Sequence, residues 1–392
     1  MKILITTDWY TPAVNGVVTS VKNLRRELEN RGHEVRILTL SPDLRSETAA
    51  GITRIGSIGA GRIYPGARMR TALAGRWVRR LVEWGPDVVH SQCEFSTFFL
   101  ARRIAEELNV PLVHTYHTVY EDYTHYFSPS VRWGRRAAAV FSRWITGQTD
   151  CVIAPTGKVR RLLLGYGVDR PVLVIPSGID LRRFRRPRDP MAEAVLRASL
   201  DIPAGRTVLL FVGRLAAEKN VEELLALRKA LGQRSVTLLL VGDGPHRQAL
   251  EARAAELGLA APDVIFAGQV PPEQVADWYR LGTVFVSAST SETQGLTYAE
   301  ALAAGVLVLC RADPCLDGVI RQEENGWQYR TEQELLQRVD EILENPALTA
   351  KMGPAAAASA EPFSAERFAR RVEAVYLDQI GRRAAERRGV SA

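Results

Sequence analysis

The chain has 392 residues, of which 46% are apolar and 24% charged, and its formal net charge at pH 7 is +7. This length exceeds one typical hydrophobic core, so two domains of ordinary size are expected, and the composition is that of a globular protein in water. The sequence contains no apolar run long enough to span a bilayer, and its four cysteines form neither a C-x-x-C pair nor a metal-binding cluster. A reduced cytosolic setting without zinc or structural disulfides is therefore expected.

The positive charge is concentrated in one half of the chain. Residues 1–180 carry about +8 and the tail 366–392 about +3, which leaves about −4 for residues 181–365. Nearly all of the basic residues are arginines, whose planar guanidinium suits phosphate groups. No nucleic-acid-binding motif accompanies them, so we expect no nucleic-acid partner.

Apolar strands alternate with helices from the N-terminus onwards. The segment 1–7 has the pattern of a strand and lacks the charged and apolar regions of a signal peptide. The first series of predicted elements comprises residues 2–6, 18–30, 34–40, 76–84, 88–91, 101–108, 112–115, 137–145 and 151–155. We assign residues 1–180 to a first domain, and we expect a C-terminal helix at about 366–392 to pack back on it.

A second series of strands and helices follows an Arg- and Pro-rich stretch at residues 182–190. Its strands are predicted at residues 207–212, 237–241, 264–267, 283–286 and 306–309. Two consecutive series of this kind indicate two doubly wound, Rossmann-like α/β domains that face a central cleft. The second domain is expected to cover residues 181–365.

Two glutamates flank the start of a predicted helix in the second domain. Glu292 lies in a polar loop after the strand 283–286, and Glu300 lies on the first turns of the helix that follows. The amides of Gly295 and Leu296 between them can point at a phosphate, as amides at a helix N-terminus commonly do. Glutamates near helix starts are also common for structural reasons, because they complement the helix dipole. The pair alone does not decide between these two readings.

Three further segments follow strands of the same domain. Gly213 precedes Arg214 and Lys219, which can neutralise a diphosphate, although a solvated basic loop has the same pattern. Residues 242–244, Gly-Asp-Gly, form a predicted tight turn. Val270 follows a strand whose end can pair with a nucleobase edge. Because the carboxyl ends of parallel strands meet at one edge of a sheet, these segments are expected to converge on one crevice.

Together these motifs resemble the retaining glycosyltransferases of family 4, which have the GT-B fold. The resemblance rests on the 213–219 segment, the 242–244 turn and the Glu292–Glu300 pair, and it extends over essentially the whole chain. Asn15-Gly16-Val17 is similar to the family's N-terminal glycine loop, although many members have two glycines there. Thr115-Tyr116-His117-Thr118 is similar to its histidine segment.

The resemblance implies a role for each matching residue. In the donor site, Arg214 and Lys219 would bind the diphosphate and stabilise the leaving group. Glu300 would hold the ribose and Glu292 the sugar, and amides around Gly295 and Leu296 would complete the phosphate site. In the first domain, Gly16 would approach the phosphate and His117 would face the sugar. His117, Glu292, Arg214 and Lys219 are thus the predicted catalytic residues, and Gly213 and Val270 join the donor-binding set.

The substrate is narrowed by two details of the resemblance. The segments 292–296 and 117–123 look most like those of bacterial diacylglycerol glucosyltransferases, and Gln294 stands where many mannosyltransferases of the family have phenylalanine. We therefore expect UDP-glucose as donor and a membrane lipid such as diacylglycerol as acceptor, with no cofactor and no essential metal. GDP-mannose or UDP-galactose as donor, a soluble or phosphoinositide-type acceptor, and a non-enzymatic sugar-nucleotide sensor are the alternatives.

Two basic segments of the first domain also carry aromatic residues. One contains Arg76, Trp77 and Arg80, and the other contains Arg132, Trp133 and Arg136. Both are typical of amphipathic helices that bind an anionic membrane surface, but crossover helices packed on a sheet are amphipathic too. Combined with the charge asymmetry and the resemblance, they predict peripheral binding to the inner face of the cell membrane. Tyr120 is assigned to the same acceptor side, whereas the sequence leaves the oligomeric state open.

Overall fold

The computed structural model describes residues 1–60, 68–71, 74–121, 130–187 and 189–389, with Val131 described by its backbone alone. The chain divides into two compact units. The first unit comprises Met1–Gly178 and Ala365–Ala392, and the second comprises Ile179–Ser364. These divisions lie close to the boundaries expected from the sequence.

An eight-stranded sheet forms the centre of the first unit. The strands described in this unit are β1 (Lys2–Thr6), β2 (Glu34–Leu40), β3 (Glu47–Ala49), β4 (Ile52–Ile55), β5 (Ser57–Gly59), β6 (Arg68–Arg70), β7 (Val88–Ser91), β8 (Leu112–Thr115), β9 (Cys151–Ala154) and β10 (Val172–Val174). The order in the sheet is β10-β9-β8-β7-β1-β2-β4-β3, and β5 and β6 form a separate ribbon. The sheet is parallel except where β3 meets β4. The winding direction changes between β1 and β7, and such a switch point is where doubly wound sheets bind ligands.

Helices cover this sheet, and local capping explains two of their starts. The helices between the strands are α1 (Gly16–Asn30), α2 (Gly75–Trp84), α3 (Ser96–Leu108), α4 (Val131–Thr146) and α5 (Gly157–Gly165). The Asn15 side chain accepts a hydrogen bond from the Val18 amide at 2.9 Å, and Thr156 caps α5 in the same way. Such caps satisfy amides that have no partner inside the helix.

The second unit contains a six-stranded, fully parallel sheet. Its strands are β11 (Thr207–Val212), β12 (Val236–Val241), β13 (Val264–Gly268), β14 (Val284–Ser287), β15 (Leu307–Arg311) and β16 (Gly326–Tyr329). Its helices are α6 (Leu181–Phe184), α7 (Pro190–Ser199), α8 (Val221–Ala230), α9 (Arg247–Glu256), α10 (Val275–Leu281), α11 (Leu296–Ala303), α12 (Glu332–Glu344) and α13 (Ala347–Ser359). The order β13-β12-β11-β14-β15-β16 places the switch point between β11 and β14.

The C-terminal helix α14 (Ala365–Arg387) belongs to the first unit. Its Phe368 and Val372 lie in the same apolar cluster as residues of β1 and α1. The hydroxyl of its Tyr376 lies 2.6 Å from His90 Nδ1 on β7. This combination of apolar packing and a buried polar contact holds α14 against the sheet, as the sequence led us to expect.

The prediction of two Rossmann-like α/β units is confirmed. Continuous apolar runs identified the central strands because strands buried on both faces need no polar alternation. Three-residue strands such as β3 and β5 were not predicted, since so short a segment carries no recognisable period. Helix α3 begins earlier than predicted because the Asp8 carboxylate, just past β1, accepts hydrogen bonds from the Ser96 and Thr97 amides. A cap supplied by another strand leaves no local sequence signal.

Candidate active site

The loops after β11 and β14 adjoin the switch point of the second sheet. Lys219, in the loop after β11, places its Nζ 2.5 Å from Glu292 Oε1, in the loop after β14. The Glu292 side chain is largely buried, and that of Lys219 is partly buried. A charge-assisted hydrogen bond of this kind joins the two loops directly. Two residues that the sequence separates widely are thereby brought together.

Backbone packing brings the turn after β12 against the loop after β11. The Gly213 amide donates to the Val241 carbonyl at 3.0 Å, and the Leu215 amide donates to the Asp243 carbonyl at 3.0 Å. Gly242 has a φ of +138°, and a Cβ on it would lie 1.9 Å from the Gly213 carbonyl oxygen. Only glycine fits there. The predicted Gly-Asp-Gly turn therefore supports the loop that carries Arg214.

Glu300 occupies a different environment from Glu292. Its Oε2 accepts a hydrogen bond of 2.8 Å from the hydroxyl of Tyr279, a fully buried residue of α10. Burial raises the pKa of Glu300 to about 7, and the hydrogen bond from Tyr279 opposes that rise. The carboxyl group therefore titrates near neutral pH and accepts hydroxyl donors best when it is ionised. Tyr279 was missed in the sequence because it falls within the apolar pattern of an ordinary helix.

Between the two glutamates, α11 begins at a glycine turn. Gly295 is the N-cap, with φ +71°, and a Cβ on it would lie 2.3 Å from the Tyr298 ring. The hydroxyl of Tyr298 lies 2.8 Å from Ser287 Oγ at the end of β14, so the first turn of the helix is tied to the sheet. The amides of Leu296 and Thr297 belong to this first turn, which has the polarity that favours anions.

Val270 follows β13 and is half-buried. The Gly242 amide donates to the carbonyl of Gly268, at the end of β13, at 2.8 Å. The ends of β11, β12, β13 and β14 thus lie along one edge of the second sheet. Among the predicted donor-site residues, the second unit contains Arg214, Lys219, Glu292, Glu300, Gly213, Gly295, Leu296 and Val270.

His117 and Gly16 belong to the first unit. Gly16 is the exposed first residue of α1, directly after the Asn15 cap. His117 follows β8, and its Nε2 donates to Gln92 Oε1 at 2.8 Å. Burial, with a smaller contribution from His114, lowers the pKa of His117 to about 3, so its imidazole is neutral at physiological pH. With the proton on Nε2, Nδ1 is the hydrogen-bond acceptor. The segment 117–123 looks like that of bacterial diacylglycerol glucosyltransferases. Its last two residues, Asp122 and Tyr123, lie outside the described residues.

The two basic aromatic segments differ in exposure. Trp77 on α2 is only 7% exposed and belongs to an apolar core cluster, so the expectation that it is an interfacial aromatic is wrong. The Arg76 and Arg80 guanidinium groups lie over its ring, 4.7 and 5.0 Å from the centroid. Trp133 on α4, in contrast, is 72% exposed. The Tyr120 hydroxyl donates to the buried Glu94 at 2.7 Å.

The exposed side of α4 combines arginines with large apolar residues. Val140 and Trp144 are 60% and 50% exposed, and Phe95 and Phe99, beside and on α3, are also exposed. The rings of Phe99 and Trp144 are 6.0 Å apart. Arg132, Arg135, Arg136 and Arg143 are the exposed basic residues of the helix. We call Phe95, Phe99, Trp133, Val140 and Trp144, with these four arginines, the α4 face.

The described residues contain neither a cluster of metal ligands nor a membrane-spanning helix. No group of three or more His, Cys, Asp or Glu side chains in the described ranges could hold a metal ion. Within the same part of the chain, no helix is both long and apolar enough to cross a bilayer.

Residues 14–183 match the family described as Glycosyltransferase Family 4, and residues 193–359 match Glycosyl transferases group 1. The chain is 36% identical to an alpha-monoglucosyldiacylglycerol synthase of Streptococcus pneumoniae (strain ATCC BAA-255 / R6) over 97% of this chain and 86% of that protein. It belongs to the family 4 glycosyltransferases. The transferase is also 31% identical to an alpha-monoglucosyldiacylglycerol synthase of Acholeplasma laidlawii, over 97% of this chain and 98% of the relative.

The fold of the transferase is GT-B. A sucrose-phosphate synthase from Thermosynechococcus elongatus superposes with a TM-score of 0.76 at 23% identity, covering 97% of this chain and 99% of that one. At this identity the likeness concerns the fold alone. With the family established, the protein is a hexosyltransferase, and the predicted resemblance is confirmed.

Proposed function

We propose that this hexosyltransferase moves glucose from UDP-glucose onto diacylglycerol at an anionic membrane surface, with retention of configuration. The observation that carries the proposal is the Lys219–Glu292 pair beside the start of α11, with Glu300 farther along the same helix. The names of the two relatives support glucosyl transfer to diacylglycerol.

In this proposal, the second unit binds the donor through fixed charges and amides. Arg214, Lys219 and the first-turn amides of α11 hold the diphosphate and stabilise the negative charge that develops as it leaves. Glu292 accepts hydrogen bonds from sugar hydroxyls, and its contact with Lys219 orients both groups. These cations and dipoles do the work for which other glycosyltransferases use a metal ion.

Glu300 binds the ribose hydroxyls, and the tyrosine behind it fixes its orientation. The acceptor hydroxyl attacks the anomeric carbon on the face that the diphosphate leaves, and the leaving phosphate oxygen takes the proton. The neutral His117 of the first unit already donates its Nε2 proton to Gln92, so it accepts a hydrogen bond from a sugar hydroxyl through Nδ1. No side chain needs to form a covalent intermediate in this scheme.

The first test is transfer activity with defined substrates. Purified protein is incubated with UDP-glucose, UDP-galactose or GDP-mannose and vesicles that contain diacylglycerol, and products are identified by mass. Lys219→Ala is expected to lower turnover by roughly 10²–10³-fold, the usual cost of removing one group that stabilises a developing anion. Lys229→Ala, on the exposed side of α8, is the matched control and should retain activity. Transfer only to a soluble acceptor would contradict the lipid assignment.

A second test uses the pKa of Glu300. Because burial raises this pKa to about 7 and the carboxylate is the better acceptor for ribose hydroxyls, UDP-glucose affinity should rise with pH up to about 7 and then level off. Calorimetric titrations across that range measure the effect. Glu300→Gln should bind more weakly and lose the pH dependence. An unchanged pH profile in this variant would assign the titration to another group.

The α4 face supports membrane binding. Its exposed tryptophans and valine would enter the interface between headgroups and acyl chains, while its arginines would contact anionic headgroups. Co-sedimentation with vesicles of anionic or zwitterionic lipid tests this directly. We expect binding to the anionic vesicles that weakens with salt. Absence of binding at low salt would contradict the peripheral location.

A further inference from the structure

Gln92 and Glu94 follow β7, at the switch point of the first sheet, and face the loop that carries His117. Gln92 accepts from His117, and Glu94 accepts from Tyr120 three positions farther along the same loop. The short segment after β7 is thus hydrogen-bonded to two residues, His117 and Tyr120, of the segment after β8. Neither contact involves a residue to which we assign binding of the diphosphate or the ribose.

Glu94 is only 3% exposed, and burying a carboxylate this deeply is costly unless hydrogen-bond donors contact it. Its Oε2 accepts the 2.7 Å hydrogen bond from the Tyr120 hydroxyl. Its Oε1 lies 3.3 Å from Nε2 of His114, a fully buried residue of β8. Removing the Tyr120 hydroxyl would therefore leave a buried carboxylate short of its best donor, and the loop would lose a strong restraint.

Tyr120 also connects Glu94 to the α4 face. Its ring packs edge-on against Phe141 of α4, with centroids 5.6 Å apart. It packs edge-on against Phe95 of the α4 face at 6.0 Å, and Phe95 stacks on Phe141 at 5.7 Å. The tyrosine is thus held at its ring by Phe95 and Phe141 and at its hydroxyl by Glu94.

We propose that Glu94 is a positioning residue of the transferase: through Tyr120 it fixes the loop that presents His117, and it ties that loop to the α4 face. This inference rests on the proposed role of His117 in sugar transfer. Its consequence is a loss of turnover without a loss of donor affinity when the Glu94–Tyr120 hydrogen bond is removed, because all of the proposed diphosphate and ribose contacts except Gly16 belong to the second unit.

The test compares two tyrosines of one loop. Tyr120→Phe removes the hydrogen bond to Glu94, and Tyr116→Phe removes the 2.7 Å hydrogen bond between Tyr116 and Ser142 of α4. Each change deletes one tyrosine hydroxyl that is bonded to a buried side chain, so the two should destabilise the fold similarly. Tyr120→Phe should lower kcat at least about tenfold with the KM for UDP-glucose unchanged, because misplacing a reacting group is costly. Tyr116→Phe should keep kcat within about twofold.

Substitutions of Glu94 distinguish a positioning role of this residue from a contribution to the stability of the fold alone. Glu94→Gln keeps an oxygen that accepts from Tyr120 and should retain most of the turnover. Glu94→Leu should lose as much as Tyr120→Phe, and the double variant Glu94→Leu/Tyr120→Phe should lose no more than either single variant. Wild-type kcat in Tyr120→Phe, or equal losses in Tyr120→Phe and Tyr116→Phe, would overturn the proposal.

A readout without substrate distinguishes this inference from the proposed function. The imidazole NMR signal of His117, assigned with a His117→Gln variant, should shift or broaden in Tyr120→Phe and stay in place in Tyr116→Phe. If the wild type transfers nothing to any lipid, the proposed function fails, and this signal still decides the positioning role. An unshifted signal in Tyr120→Phe would refute it.

Discussion

Helices α2 and α4 have nearly the same sequence pattern and opposite surroundings. Each combines several arginines with two tryptophans on one chain segment. In α2 the apolar residues Trp77, Val78, Leu81 and Trp84 form one stripe, and all four are buried. In α4 the tryptophans are exposed, and the residues turned inward include Ala138, Ser142 and Ile145.

The difference shows what decides whether a basic aromatic helix is a core element or a docking surface. The inward side of α4 includes the small or polar residues Ala138 and Ser142 besides Ile145, and Ser142 donates there to the Ala138 carbonyl. With that side already packed, its large apolar residues have only the surface left. Trp133, Val140 and Trp144 are spaced seven and four residues apart and so share one side of the helix, and exposed apolar residues grouped in this way mark an interaction site. Substitutions on the two helices test that assignment.

Trp77→Ala should destabilise the protein by about 3–5 kcal/mol, the usual cost of removing a large buried aromatic side chain. Urea unfolding followed by circular dichroism measures this loss. Trp133→Ala on α4 is the matched control and should change the free energy of unfolding by less than about 1 kcal/mol, since the residue is exposed. Equal losses in the two variants would remove the distinction between the helices.

Replacing Arg132, Arg135 and Arg136 with glutamine should weaken binding to anionic vesicles roughly a hundredfold at low salt. Each arginine near an anionic surface contributes about 1 kcal/mol, and the contribution is screened by salt. Co-sedimentation across a salt series measures both the loss of vesicle binding and its dependence on salt. The same three-arginine change on α2, at Arg76, Arg79 and Arg80, should leave vesicle binding far less affected. A larger effect from α2 would reverse the assignment.

Sequence patterns predicted the architecture well because the central strands are buried on both faces. Runs such as Leu112–Thr115 and Thr207–Val212 were predicted with the bounds that the structure has. The sequence also predicted that the loops carrying Lys219 and Glu292 lie together, since parallel strands bring the loops that follow them to one edge of the sheet. The contact between the two side chains agrees with this.

Exposure could not be predicted in the same way. Trp77 and Trp133 have similar neighbours in the sequence, and only the packing of each helix on its sheet distinguishes them. The Tyr279 hydroxyl behind Glu300 and the Glu94–Tyr120 hydrogen bond were also missed. Each joins residues of different elements through side chains that fit an ordinary helix or loop pattern. Their meeting depends on tertiary packing, which a local pattern does not encode.

Trp133→Ala should weaken vesicle binding about tenfold and leave the salt dependence unchanged. A partly inserted tryptophan contributes roughly 1–2 kcal/mol through its apolar area, and this contribution is not electrostatic. Trp84→Ala gives no clean comparison because that residue is buried, so Leu164→Ala, an exposed residue of α5, is the control. Unaltered binding in Trp133→Ala would mean that only the arginines contact the lipid.

Arg80→Gln should have the smallest effect, a loss of about 0.5–1 kcal/mol in the free energy of unfolding with vesicle binding unchanged. Its guanidinium lies 5.0 Å from the centroid of the Trp77 ring, and a cation–π contact at an exposed site has this magnitude. Arg80→Lys keeps the charge and should recover part of the stability. If Arg80→Gln instead weakened vesicle binding as much as Arg136→Gln, the arginines of α2 would contact the membrane although its tryptophans are buried, and the two helices would dock side by side.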